Sequence, residues 1–422
     1  MPNLRESNSK FMRRVALSAS VLLVLCLGAL IVWAGARVRA NSVASLGSYR
    51  SNWSPVAASS YLDSREAWWQ NWPNAQLHQG TFCISCHTTL PYALVRPWLR
   101  SALGETALTD DEKAMLASIE KRVADWPQMS PYYTDAAHAA PSHATEAVLN
   151  AMILAKYSAE QPQLIPVARR AFDEAWALQQ TTGENAGGWE WQDFHEAPWE
   201  SPESAYQGAA MMAIAVGSMP AAYASDPAVG EHMERLRQYL LLHYAAQPAM
   251  NQLYLLWAST RIPGLLSVAQ RADLIKKVAS LQRSDGGWSL PILDKQKAIK
   301  PAMLDLFKRA NHVDDSDGIA TGLVVLAFEE DGVSLENPTL KRGLAWLEAH
   351  QREEGSWWAS SLNGFRNPTT GMGRFMSDAA TGYAVLALER AQDLSTHNEK
   401  TIAIRLVPDA SQSARASSST PW

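Results

Sequence analysis

Cys83-Ile84-Ser85-Cys86-His87 sets two cysteines three apart with a histidine directly behind the second, in a chain whose one other cysteine is Cys26. Three chemistries use such a set. Two thioether bonds can hold a haem while the imidazole binds its iron, the cysteines can close a small disulfide loop, or the three side chains can meet a metal. The compartment weighs on the choice, since disulfides persist in oxidising surroundings and a cytosolic C-x-x-C reads as a redox motif.

The N-terminus speaks to compartment. Val15 to Ala36 carries no charged residue, and Lys10, Arg13 and Arg14 precede it. As a helix the run can cross ~30 Å of hydrocarbon, and the leading positive charge keeps its start in the cytoplasm. The expectation is a cytoplasmic N-terminus at 1–14, a single-pass inner-membrane anchor at 15–36 and a linker at 37–60, with the body in the periplasm or outside the cell. Arg37-Val38-Arg39-Ala40 offers the alternative of cleavage, which also exports the body.

In that setting the stretch resembles the c-type haem attachment motif of the cytochromes c. The resemblance implies that Cys83 and Cys86 carry the thioethers of a haem c and that His87 holds the iron. Candidates for a sixth ligand are His78, Met115, Met129, His138 and His143, among which the sequence does not choose. A separate small cytochrome domain cannot be traced around Cys83. A disulfide or free dithiol with no cofactor, or another metal, therefore stays open.

The chemistry must be positioned by the rest of the chain, whose 422 residues are 47% hydrophobic and 19% charged. A net charge of -5 without a basic stripe argues against a nucleic-acid partner. Three strings recur, "LQRSDGGWSL" at 281–290, "HQREEGSWWA" at 350–359 and "LQQTTGENAGGWEW" at 178–191. They align Gln282 with Trp288, Gln351 with Trp357 and, across an insertion, Gln180 with Trp189. Each follows an amphipathic helix and precedes one rich in small and aliphatic residues, such as "IATGLVVLAFEEDG". Helices with one charged face suit an outer layer, and helices nearly free of charge belong inside. About five such pairs fit between Asp110 and Gln392. The expected body is an all-α ring of hairpins at 141–392, preceded by a Trp-rich segment at 61–140 and followed by a disordered tail at 393–422. A closed ring leaves a central cavity lined by inner-helix N-termini and the loops before them.

These strings resemble the QW repeats of the squalene–hopene cyclase and terpene cyclase superfamily, an α/α toroid shared with protein prenyltransferase β subunits. The resemblance implies that the Gln and Trp residues tie an outer helix to the following turn. It also implies an apolar ligand such as an isoprenoid. A class II cyclase needs a carboxylic acid kept protonated in an apolar cavity. "NHVDDSDG" overlays the family's acidic signature with His312 in place of the first Asp, which makes Asp314 the candidate acid and Asp315 its neighbour. A rival alignment through Thr321 makes Asp317 and Asp378 equivalent loop residues and leaves no acid at that position. "GGWEWQDFHEAPWESPESAY" gathers Trp189, Trp191, Phe194, Trp199 and Tyr206, either as a cavity mouth or as a packed loop. The combined expectation is an exported, membrane-anchored cyclase-like toroid with one covalent haem and a redox role with a redox partner. The alternatives are a terpenoid cyclase-like enzyme and a non-enzymatic scaffold.

Overall fold

A computed structural model describes residues 47–294, 315–359, 361–363 and 366–406, together with Cys26 and Gly28. The described residues form helices and turns, with pairing between extended segments limited to isolated bridges such as Tyr49 with Arg352. The class is all-α, as the periodicity implies.

Among the described residues, twelve longer helices alternate between two layers. The outer ones are α1 (Pro55–Asn71), α3 (Asp110–Ala124), α5 (Ile165–Ala177), α7 (Pro227–His243), α9 (Val268–Ala279) and α11 (Pro338–Ala349). The inner ones are α2 (Thr89–Ala102), α4 (Ala139–Ser158), α6 (Ser204–Ser218), α8 (Ala249–Arg261), α10 (Gly318–Glu330) and α12 (Phe375–Leu406). Each inner helix packs on the next, and α12 returns to α2, so the inner ring is closed. The sequence places five pairs between Asp110 and Gln392; a sixth, α1 with α2, completes the circle from the Trp-rich N-terminal segment.

Side-chain chemistry assigns the layers. In α10, Gly318 through Glu329 are all buried, whereas α9 buries Leu274 and Val278. Outer helices start at strong caps: Thr109 and Glu112 form a reciprocal capping box on α3, and Ser267 with Gln270 repeats it on α9. Inner helices approach closely through small residues. A Cβ on Gly322 would stand 2.5 Å from the Tyr383 backbone, so α10 could not lie against α12 with a larger residue there.

The Gln–Trp strings become ties of one design. Trp288 donates its indole N–H to Val278 O (2.9 Å), Trp357 to Leu347 O (2.8 Å) and Trp189 to Ala175 O (2.6 Å), each back onto the preceding outer helix. Gln282 donates to Gly286 O and to Thr339 O of the next outer helix, both at 2.8 Å. Gln351 does the same to Gly355 O and to Ser54 O, the cap of α1. In the third string the donor is Gln179, to Gly187 O and His232 O, in place of the expected Gln180. Gly187, Gly286 and Gly355 have φ of 99°, 96° and 99°, the left-handed region that favours glycine.

The expected anchor at 15–36 lies outside the described residues apart from Cys26 and Gly28; among the described residues, no helix is long and apolar enough to cross a membrane.

Candidate functional site

A cavity of about 440 Å³ opens at the end of the ring where the inner helices begin. Its walls come from the segment before α2 (Cys83 to His87), the first turns of α4 (Ser142, Thr145, Glu146), the loop before α6 (Gln192 to Glu200) and the approach to α12 (Arg366, Phe375, Met376). The "CISCH" stretch is therefore part of the wall of this cavity.

Local bonds fix that stretch. Cys83 N–H donates to Ala75 O (2.8 Å), and Cys83 O accepts the Trp69 indole N–H (2.7 Å). Ser85 Oγ accepts from the backbone N–H groups of Thr88 (3.2 Å) and Thr89 (3.0 Å), and so caps the start of α2. Cys83 and Cys86 are unpaired thiols, part-open to the cavity. Burial, and then the nearby Glu146, pushes the Cys83 thiol well up; burial, and then Glu200, pushes Cys86 up to about 12. Both are thiols rather than thiolates at neutral pH, which makes them poor nucleophiles.

His87 has a defined hydrogen-bond state. The Thr88 hydroxyl donates to Asp378 Oδ2 (2.8 Å), leaving its oxygen to accept from His87 Nδ1–H (2.9 Å). Asp378 can serve only as acceptor here, since Tyr61 OH (2.8 Å) and Arg65 Nε and Nη2 (2.7 and 3.0 Å) also point at it. The proton thus sits on Nδ1, and Nε2 keeps its lone pair. Phe375 stacks on the ring at 3.8 Å between centroids, and Trp69 meets it edge-on at 5.1 Å. Burial, then Arg65 and Arg366, pushes its pKa down to about 3, so the imidazole is neutral through the physiological range.

The carboxyl groups of the wall differ in environment. Glu146 is paired with Arg122 through both oxygens, one contact being Nη2 to Oε2 at 2.8 Å. Glu196 takes Arg366 Nη2 at 2.5 Å. Glu200 has no such partner: burial, then Glu196, raises its pKa to about 7, against a smaller lowering by Arg366. The Gln192–Glu200 loop is pinned by Asn363, which accepts from Ala197 N–H (2.9 Å) and donates to Ala197 O (2.7 Å). Two buried polar atoms of this wall have no partner, the Trp199 indole N–H and Gln192 Oε1.

Sequence-derived candidates separate cleanly. Cys83, Cys86 and His87 come together in the cavity wall; His78, Met115, Met129, His138 and His143 are absent from it. Among the described residues no three His, Cys, Asp or Glu side chains are grouped to hold a metal ion directly. Asp314 lies outside the described residues, and Asp315 is exposed in a bend away from the cavity. Asp317 caps α10, accepting from Ala320 N–H (2.9 Å), while Asp378 supports Thr88. Of the Trp-rich loop, Phe194 and Trp199 line the cavity and Trp189 packs in a tie. Sequence reasoning missed Glu146, Glu200 and Arg366, whose signal is their place within the first turns of, or in the loop before, an inner helix.

By sequence, no protein family and no curated protein matches the chain. Its fold aligns with solved structures. One is an inactive variant of an α-1,6-mannanase of glycoside hydrolase family 76 from Salegentibacter sp., in complex with α-1,6-mannotriose, at a TM-score of 0.47 and 11% identity over 79% of this chain and 99% of that one. A second is a possible member of glycoside hydrolase family 105 from Salmonella enterica serovar Paratyphi A, at a TM-score of 0.44 and 12% identity over 80% and 94%. A third is a wild-type glycosidase, at a TM-score of 0.45 and 12% identity over 80% and 98%. None of the three is a squalene cyclase, a terpene cyclase or a cytochrome. The expected kinship with squalene–hopene cyclases is corrected by this, and with it the redox toroid and its terpenoid-cyclase alternative. The physical reason is that the Gln–Trp ties solve a geometric problem, joining one outer helix to the next around a ring, and so mark an architecture rather than a chemistry.

Proposed function

We propose that the cavity is the active site of a glycan-cleaving enzyme, with Glu200 as proton donor and Glu146 as the charged carboxylate of the pair. The observation that carries this reading is the contrast between these two groups in one aromatic-walled cavity. Glu200 is unpaired and holds its proton up to about pH 7, and Glu146 is ion-paired with Arg122. Glycoside cleavage needs one carboxyl to protonate the leaving oxygen and a second, ionised, to act as base or nucleophile. Environments that set two carboxyl groups apart supply those roles. Trp69, Trp72, Trp199 and Phe375 give the cavity the aromatic lining that suits the C–H surfaces of a sugar ring, and its wall holds two unpartnered polar atoms, the Trp199 N–H and Gln192 Oε1. The fold likeness is not part of this argument. The test is reducing-sugar release from a panel of oligosaccharides. Activity is expected in the wild type and is expected to fall 10²–10⁴-fold in Glu200→Gln; a wild type that neither binds nor cleaves any glycan overturns the reading.

A second proposal concerns the cofactor alone and carries no electron-transfer role. Its support is that Cys83 and Cys86 are both reduced and open to the same cavity, and that His87 keeps an Nε2 lone pair. That set fits a covalent haem, with thioethers at the two cysteines and His87 toward the iron. A bound haem would occupy the cavity, supply iron chemistry there and exclude a sugar, so this reading stands in place of the glycan one rather than beside it. A pyridine haemochrome spectrum of protein matured in haem-competent cells decides the matter: a band lost in Cys83→Ser/Cys86→Ser supports it, and colourless protein removes it.

A further inference from the structure

Resting on the glycan reading, we infer that the cavity takes an uncharged sugar and turns away acidic ones such as uronides, with Trp199 and Gln192 reading the hydroxyls. Among the described lining residues Arg366 is the one charged cation, and it is already committed to Glu196 at 2.5 Å. The charge of Glu146 is met from behind by Arg122, which also donates to Ser130 O (2.8 Å) and Thr81 Oγ1 (3.1 Å) and so cannot follow a ligand into the cavity. His87 is neutral with its proton turned away toward Thr88.

A sugar carboxylate entering this space finds every guanidinium occupied. To bind Arg366 it must displace Glu196, and it then sits within the field of Glu146 and Glu196. What the wall leaves unmet is hydrogen bonding rather than charge. The Trp199 N–H and Gln192 Oε1 are buried and unpartnered, so a hydroxyl that accepts from the first and donates to the second reaches them only as their side chains shift toward the ligand. A site whose buried polar groups need a hydroxyl rejects analogues that lack it.

Isothermal titration of the wild type with neutral trisaccharides (mannotriose, xylotriose, cellotriose) and with trigalacturonate, at one salt concentration, tests the inference. The best neutral trisaccharide is expected to bind at least tenfold more tightly than trigalacturonate. Glu196→Gln, which releases Arg366, is expected to raise trigalacturonate affinity about fivefold or more relative to that of the best neutral trisaccharide. The Glu196 side chain is 44% exposed, so its loss should not unfold the chain, and circular dichroism melting checks this. Trigalacturonate binding as tightly as the best neutral sugar overturns the inference and leaves the glycan reading standing. If no sugar of either kind binds, the glycan reading itself falls and the inference falls with it. A third variant, Gln192→Leu, is expected to cost neutral-sugar affinity about tenfold and, because Gln192 Nε2 also donates to His138 O (2.9 Å), to lower the melting temperature modestly; unchanged affinity in the folded variant removes Gln192 as a hydroxyl reader.

Discussion

Tryptophan is used in two ways in this molecule, at the ties of the ring and at the mouth of the cavity. At the ties, Trp189, Trp288 and Trp357 are 0–1% exposed, and each indole N–H ends on a backbone carbonyl. At the mouth, Trp72 is part-exposed and Trp199 is buried with its N–H unpartnered. A satisfied indole in a closed site stabilises, while an unsatisfied one beside a void is a binding group waiting for its partner. Trp199 differs in this also from Trp69, which lines the same cavity but spends its N–H on Cys83 O.

That contrast can be broken by substitution, and the largest effect should come from the ties. Trp357→Ala is expected to cost about 3–5 kcal/mol in urea unfolding, because it opens a cavity and orphans a carbonyl, whereas Trp199→Phe should leave the unfolding midpoint nearly unchanged and abolish measurable sugar binding. Equal stability losses at the two sites would erase the distinction. A smaller effect is expected from Gln351→Ala, about 1–3 kcal/mol, since Ser54 O and Gly355 O both lose a donor.

At the mouth, pH sharpens the comparison. Glu200 has a pKa raised to about 7 by burial and Glu196, so the folded state favours its neutral form. The associated stability is present in full below the ordinary glutamate range and is lost as pH rises through about 7. Hydrolysis should fall about tenfold per pH unit above that point, and Glu200→Gln should be relatively more stable than the wild type at pH 8 than at pH 5. A rate that is flat from pH 6 to 9 would remove Glu200 as the donor. The smallest effect belongs to Thr88→Val, expected to cost about 1 kcal/mol and to release the His87 tautomer, read from its ring nitrogen shifts by NMR.

How much of this was legible in the sequence follows from what each feature depends on. The layers were readable because burial writes itself as helical periodicity: "IATGLVVLAFEE" can only be an inner helix. The ties were readable because Gln, Gly and Trp recur at fixed offsets, yet the insertion in the third string hid that Gln179, not Gln180, is the donor. The sixth pair was not readable as part of the ring, because its place there rests on α2 meeting α12 and on Gln351 gripping the start of α1, contacts with the far end of the chain that no local pattern marks. Cys83, Cys86 and His87 were visible as a motif, but their shared cavity depends on the ring. Glu146 and Glu200 carried no local signature at all: their difference arises from Arg122 and from burial, both set by tertiary structure. Asp315 belongs to a local acidic signature, yet in the fold it is exposed and is not among the residues that line the cavity.

The Gln351–Ser54 contact joins residues 297 positions apart, and this separation governs how the chain reaches its folded state. Closing a flexible loop of that length costs about 5 kcal/mol in chain entropy, recovered only once both partners are in place. The other ties span far shorter distances and can form while much of the chain is still loose. The latch between last and first outer helices should therefore be made late, after the folding barrier. Weakening it with Gln351→Ala should hasten unfolding and leave the refolding rate almost untouched. The ring would then lose its kinetic persistence first at the seam where its two ends meet.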